Sequence, residues 1–370
     1  MDTNMQNTPK ITKESKNKIR VEFDRTPLKE RLKAKFLNLY FFQQVAWIIF
    51  RMVLLVGISY VVLFPFISKI AGSFMSPEDF VDVTVRLIPK NFTLDIYKAV
   101  LFELDYWEAF FNTLLISLLC GLLQTFVCCL IGYGLAKFRF RGGKIVMALV
   151  ILTMIVPHQT LRQSMFEYFR YFDICGILSL LSGGASVGIE GIDAVLANIN
   201  VIDLEGAPGI QLNNTFLPLF MLSATGLAFK NGLYIFMLRQ FFTGVPDALE
   251  ESAYIDGSGV IRTFFTIILP LSVPMMVTVF LFAFCWQWTD YFYTEKILFL
   301  QDTPLMSDIA LAIPASRQSI IDSGLTDKVI YDSAVKNTGG ILIILPLVVL
   351  FIFCQNFLVQ GIERSGLTAD

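Results

Sequence analysis

The chain has 370 residues, 55% of them hydrophobic and only 16% charged, with a mean hydropathy of +0.63 and a net charge of −2. Soluble domains carry about a quarter charged residues, so this composition points away from a single globular core and toward a polytopic membrane protein. The near-neutral charge gives no reason to expect a nucleic-acid partner, and one histidine (His158) with six cysteines but no C-x-x-C pair argues against a metal or thiol-redox motif.

The first 44 residues are polar and basic and lack a short apolar stretch followed by a small-residue cleavage site, so no secretory signal is expected. They read as a cytoplasmic tail, without structure to about Thr26 and then amphipathic and helical from Pro27 to Gln44. Residues 45–370 read as one transmembrane domain. A helix needs about 20 predominantly apolar residues to cross the hydrocarbon. Six stretches meet or approach that length: Trp47 to Ile70, Phe110 to Ala136, a third from Ile145 that weakens beyond Pro157, Phe216 to Leu238, Leu271 to Phe292, and Gly339 to Leu358. The third continues past a proline kink or forms a re-entrant segment. The predicted fold is therefore an all-α membrane protein with six transmembrane helices.

Loop charge sets the orientation. The tail is rich in lysine and arginine, and the loop Lys137-Phe-Arg139-Phe-Arg141-Gly-Gly-Lys144 contains no acid. The loops on the other side lean acidic, with Glu78, Asp79, Asp82 and Asp95 after the first span and Asp302, Asp308 and Asp322 after the fifth. Both termini and the loop between spans four and five are thus predicted to be cytoplasmic.

That last loop holds the most informative stretch, Gly244-Val-Pro246-Asp247-Ala-Leu249-Glu250-Glu251-Ser252-Ala253-Tyr-Ile-Asp256-Gly257-Ser-Gly259. Pro246 suits the first helical position, and Asp247, Glu250 and Glu251 suit a helix N-terminus, where the dipole favours negative charge. Leu249, Ser252, Ala253 and Asp256 share one face, small and polar. Gly257 and Gly259 then break or bend the helix. A helix and bend with a small-residue face suits docking into the groove of another protein. An amphipathic connector would share the same features.

The stretch resembles the EAA loop of ABC-importer permeases. Its marks are Glu251-Ser252-Ala253, then Asp256-Gly257, then Ile267-Ile268-Leu269-Pro270. The form with Asp before Gly, preceded by Pro246 and Leu249-Glu250, is similar to the carbohydrate-uptake subfamily, and most similar to the smaller permease subunit of maltose-type systems. Ser252 stands where the family usually has Ala, and it is nearly as small. Similar positions recur in Tyr133-Gly-Leu-Ala-Lys137, Asn231-Gly-Leu-Tyr, Trp286-Gln-Trp288-Thr-Asp290 and Gly361-Ile-Glu363.

The resemblance implies a permease subunit in a bacterial cell membrane, working with a second permease subunit, two ATPase subunits and an extracellular solute-binding protein to import a sugar. It implies an ATPase-coupling site at Leu249, Glu250, Glu251, Ser252, Ala253, Asp256, Gly257 and Pro270. No G-x-x-x-x-G-K-[ST] occurs, so ATP hydrolysis is assigned to a separate polypeptide and no cofactor or catalytic residue is expected here. Residues 174–212, glycine-rich with Glu190, Asp193, Asp203 and Glu205, fall outside the pattern and read as an extracellular insertion.

Sugars are neutral and polar, so aromatic faces and amides are the expected lining of a passage. Asn112, Gln124, Gln287 and Trp288 are the candidates, with interhelical packing as the competing role for each. A permease of the same family for glycerol phosphate, a polyamine or an anion is the main alternative. A basic pair in the passage would favour an anion, and the sequence offers Lys230. An ion-coupled secondary transporter would need more intramembrane carboxylates than this chain has.

Overall fold

The computed structural model describes residues 11–14, 18–21, 39–170, 172–173, 211–297, 303–324 and 327–364. The predicted amphipathic helix up to residue 38 and nearly all of the 174–212 insertion lie outside these residues. The chain divides into two units, residues 1–68 and 69–370.

In the first unit Ile11–Glu14 pairs antiparallel with Lys18–Val21, where the tail was expected to lack structure. The β-branched residues Ile11, Thr12, Ile19 and Val21 favour the extended backbone. Most of helix α1 (Leu39–Ser73) also belongs to this unit. It is predominantly apolar, and its Arg51 lies over the Trp47 ring at 5.1 Å.

The second unit is built around α2 (Tyr106–Lys137), 32 residues with mixed apolar and small side chains. It is followed by α3 (Gly143–Ile155) and α4 (Arg162–Arg170), α5 (Leu217–Thr225), α6 (Asn231–Gly244), α7 (Ala248–Ile255), α8 (Leu269–Trp288) and α9 (Lys328–Arg364). Helix α2 packs against α5, α6 and α8, and α8 packs against α9. Small residues permit these crossings, as is common between membrane helices. A Cβ added at Gly132 of α2 would lie 2.9 Å from the Leu238 Cβ and 3.0 Å from the Arg239 nitrogen of α6.

Among the described residues four helices are long and apolar enough to cross a membrane: Phe42–Ser73, Tyr106–Lys137, Val260–Trp288 and Lys328–Gly361. The third predicted span is a bent pair, Gly143–Ile155 and His158–Arg170, turning by 93°. Val156 is extended (ψ 121°) because it precedes Pro157, whose ring disfavours the helical conformation there.

The fourth predicted span is also not one helix. Gly226 ends α5 with φ +76°, and Lys230 enters α6 with φ +66°, so α5 and α6 are separate short helices. An apolar run read as continuous in the sequence is interrupted by two left-handed residues. Gly226 reaches that conformation without steric cost. The fifth span starts earlier than predicted, because a π-turn at Phe264–Ile268 joins Val260–Thr263 to α8. Leu269 donates to the Phe264 carbonyl, five residues back, and the extra residue in that turn accommodates Pro270, which has no N–H to give.

Candidate functional site

Two arrangements stand out, one at each end of α6. At its C-terminal end, α7 forms a short helical turn. Asp247 is its N-cap, and Pro246 precedes the helix rather than opening it. The Asp247 side chain does not cap the helix. It pairs instead with Lys137, the last residue of α2, at 2.6 Å, and the same ammonium donates to the Val245 carbonyl at 2.7 Å. Lys137 is thereby buried while Asp247 stays exposed. The Lys137 hydrogen bond and charge, with a smaller contribution from Arg139, hold the Asp247 carboxyl below its ordinary value.

The end of α7 is closed by Gly257, with φ +82°. The Gly257 N–H donates to the Tyr254 carbonyl at 3.0 Å, and the Ser258 N–H donates to the Ala253 carbonyl at 2.9 Å. This pair of bonds is a Schellman motif, which satisfies carbonyls that the helix end would otherwise leave free. The face expected to dock is only partly the one exposed. Leu249, Glu251, Ser252 and Asp256 point away from the chain, joined by Ile255, which is 86% exposed. Glu250 and Ala253, three residues apart, form the inward stripe, with Glu250 beside the Tyr133 hydroxyl of α2. Ala253 therefore packs against the chain itself, contrary to its expected place on the outer face. Pro270 lies beyond the π-turn in α8 and shapes the entry to that helix rather than the turn.

At the other end, a cleft opens at the break between α5 and α6. It is lined by Gln124 of α2, Ser223 of α5, Phe229 in the break, Trp286 and Gln287 of α8, and Asp290 and Tyr293 beyond it. Gln124 donates to the Ser223 hydroxyl at 3.3 Å. The Asp290 carboxylate accepts the backbone N–H groups of Tyr293 and Thr294 at 3.2 and 3.0 Å. The Lys230 ammonium lies 4.6 Å from the Phe229 ring centre and 4.8 Å from that of Trp286. The His158 ring meets Phe229 edge-on at 4.0 Å.

The model of the family described as binding-protein-dependent transport system inner membrane component matches residues 129–365, which include α3 to α9, the α7 turn and all of the cleft lining named above except Gln124. The chain belongs to that family. It is a membrane-embedded transport component rather than an enzyme. It is 25% identical over 314 residues to the maltodextrin transport system permease protein MalD of Streptococcus pneumoniae, covering 84% of this chain and 92% of that protein. It is 28% identical over 276 residues to the maltodextrin transport system permease protein MdxG of Bacillus subtilis, covering 75% and 81%. The fold is shared with a solved bacterial ABC transporter involved in the import of the acidic polysaccharide alginate. That match has a TM-score of 0.58 at 16% identity, over 90% of this chain and 99% of the other.

Within this permease, the four residues chosen as passage candidates separate into two groups. Gln124 and Gln287 meet at the cleft. Asn112 instead donates to the Pro304 carbonyl at 3.2 Å, next to Thr113, whose hydroxyl accepts the Met306 N–H at 3.0 Å. Trp288 is buried against Phe110 and Phe284, and its indole N–H donates to the Ile343 carbonyl of α9 at 3.0 Å. Trp286, two residues earlier, is the exposed indole at the cleft. The sequence did carry one signal for the cleft: Gly226 and Lys230 lie within an apolar run, an unfavourable pair for an unbroken helix.

Proposed function

We propose that this permease is the transmembrane subunit of an ATP-driven importer that moves a sugar or oligosaccharide by alternating access. In this reading six segments cross the membrane, with the third and fourth broken. Both termini and α7 face the cytoplasm. The chain pairs with a second permease, two ATPases engage the permease pair from the cytoplasm, and an extracellular solute-binding protein delivers the substrate. The names of MalD and MdxG support sugar as the substrate class.

The observation that carries the reading is α7 itself. It is a short helix whose outward face presents Leu249, Glu251, Ser252, Ile255 and Asp256, while Lys137 anchors its entry to α2. A partner that moves α7 pulls directly on a helix crossing the bilayer. Rigid-body rocking of the helices then opens the passage to one side or the other. Glu251 reaches solvent on the helix's first turn, where it can meet a cation on the ATPase.

The test is Glu251→Lys in the assembled importer. The variant is expected to insert normally and to recover less ATPase when purified through a tag on this chain. Full ATPase recovery together with normal uptake would remove α7 as the docking element.

A further inference from the structure

At the start of α6, the Lys230 ammonium lies over Phe229 and Trp286 of the cleft lining, a cation that the proposed transport cycle does not use. Lys230 is half-buried. Helix α6 has 14 residues, so at 1.5 Å per residue Lys230 lies about 21 Å from the α7 turn, within a hydrocarbon layer about 30 Å thick. A cation at such depth is costly unless an anion or water meets it. Among the described residues Lys230 forms no ion pair. Its neighbours are the rings of Phe229 and Trp286, which attract the ammonium but accept none of its three N–H donors well.

The acid in the cleft lining is Asp290, whose two oxygens accept the N–H groups of Tyr293 and Thr294. The His158 ring also packs edge-on against Phe229. The N-terminus of α6 begins at the next residue, Asn231, and its dipole adds potential of the same sign. The rest of the lining suits a sugar. Trp286 is 48% exposed and offers a flat apolar face, while Gln124, Ser223 and Gln287 offer donors and acceptors for hydroxyl groups.

We infer that this cleft is a subsite for a carboxylated sugar, a uronate unit of an oligosaccharide, with Lys230 as the partner of the carboxylate, Trp286 as the stacking face and Gln124 and Gln287 as hydroxyl partners. The inference rests on the sugar-permease reading and narrows it to acidic sugars.

The experiment measures equilibrium binding of labelled trisaccharides to the detergent-solubilised importer, purified through a tag on this chain and free of solute-binding protein. The probes are uronate trimers of the galacto and manno series and neutral trimers of the same two series. At least one uronate trimer should bind more tightly than its neutral counterpart, and its affinity should weaken with added salt. Lys230→Met should weaken uronate binding roughly 10- to 100-fold, the range for losing a hydrogen bond to a charged group. Lys230→Arg should largely keep it, and neutral trimers should be indifferent to both changes. Binding of neutral trimers alone, unaffected by Lys230→Met, would overturn the acidic-sugar assignment and leave the sugar reading intact. Binding of no trimer at all would overturn both. Loss of the second permease from the Lys230→Met complex would assign the lysine to an ion pair between subunits and discard the subsite. Salt dependence and the Lys230→Arg variant keep the test decisive if Lys230→Met fails to insert.

Discussion

The α7 turn and the cleft lie at opposite ends of one 14-residue helix, and they are built in different ways. The turn is made of near neighbours in sequence. Asp247, Gly257 and Ser258 fall within 12 positions: Asp247 holds the N-cap position without a side-chain cap, Gly257 is the left-handed stop and Ser258 the Schellman donor. The cleft is made of distant residues. Gln124, Ser223, Phe229 and Gln287 come from three helices and a break, and none of them has a local rule that places it there. The turn can therefore be disturbed by changing a backbone preference, whereas the cleft changes only when packing or surface chemistry changes.

The largest effect expected from this difference is at Gly257. No atom lies within 4 Å of where its Cβ would be, so a side chain there meets open space within this chain. Only the backbone is strained, because φ +82° is a conformation that L-residues disfavour by about 1–2 kcal/mol. β-Branched residues suffer most and Asn least. Gly257→Val should bring substrate-dependent ATP hydrolysis by the assembled importer down to its basal rate, with membrane insertion intact. Gly257→Ala should fall between, and Gly257→Asn should be closest to the parent. Equal activity of the three variants would show that the left-handed stop has no part in coupling.

The same contrast explains what could be read from the chain beforehand. The turn was legible almost residue by residue, because caps, dipoles and glycine stops act within a few positions. Two residues differ from expectation: Pro246 precedes the helix instead of opening it, and Ala253 turns inward, which follows from the helix period. Leu249, Ser252, Ala253 and Asp256 do share a face, but that face is broad: Ala253 at its edge is buried, while Leu249, Ser252 and Asp256 are exposed. Of the six predicted apolar spans, four appear as long apolar helices among the described residues, and the breaks in the third and fourth were not legible. A run of 20 apolar residues satisfies the length requirement whether or not a left-handed Gly226 and Lys230 divide it. The cleft was half legible, since amides in an apolar helix announce a role without saying whether they face a partner helix or a cavity. Gln124 and Asn112 look alike in sequence, and only the fold sends one to the cleft and the other to the Pro304 carbonyl.

Two tryptophans two residues apart give a sharper version of the comparison. Trp288 is 1% exposed and donates to the Ile343 carbonyl, so it belongs to packing between α8 and α9. Trp286 is 48% exposed and belongs to the cleft. Trp288→Ala should destabilise the solubilised permease by about 3–5 kcal/mol, the usual cost of removing a large buried aromatic, and Trp288→Phe by about 1 kcal/mol for the lost donor. Both would appear as lower thermal unfolding midpoints. Trp286→Ala should leave that midpoint nearly unchanged while lowering the uptake rate. A stability loss at Trp286 as large as that at Trp288 would mean the cleft is part of the core.

The smallest effect concerns the tie between α2 and the α7 turn, and here the two partners should differ. Lys137 is buried and donates to both Asp247 and the Val245 carbonyl, whereas Asp247 is exposed and has water as an alternative partner. Lys137→Met leaves the carbonyl without its side-chain donor, so it should lower the unfolding midpoint by the equivalent of about 1–3 kcal/mol. Asp247→Asn should lower it only slightly, and less still in high salt, as expected for an exposed partner. The pH dependence has a definite sign. Lys137 holds the folded Asp247 carboxyl below its ordinary value of 3.8, so the contribution of the pair is complete above that value and is lost as pH falls through the lower, folded value. The small gap between the parent and Asp247→Asn should therefore stay constant from pH 7 to about pH 5 and close only below about pH 4. A gap that closed near neutral pH instead would show that another group, and not the Asp247 carboxylate, governs the tie.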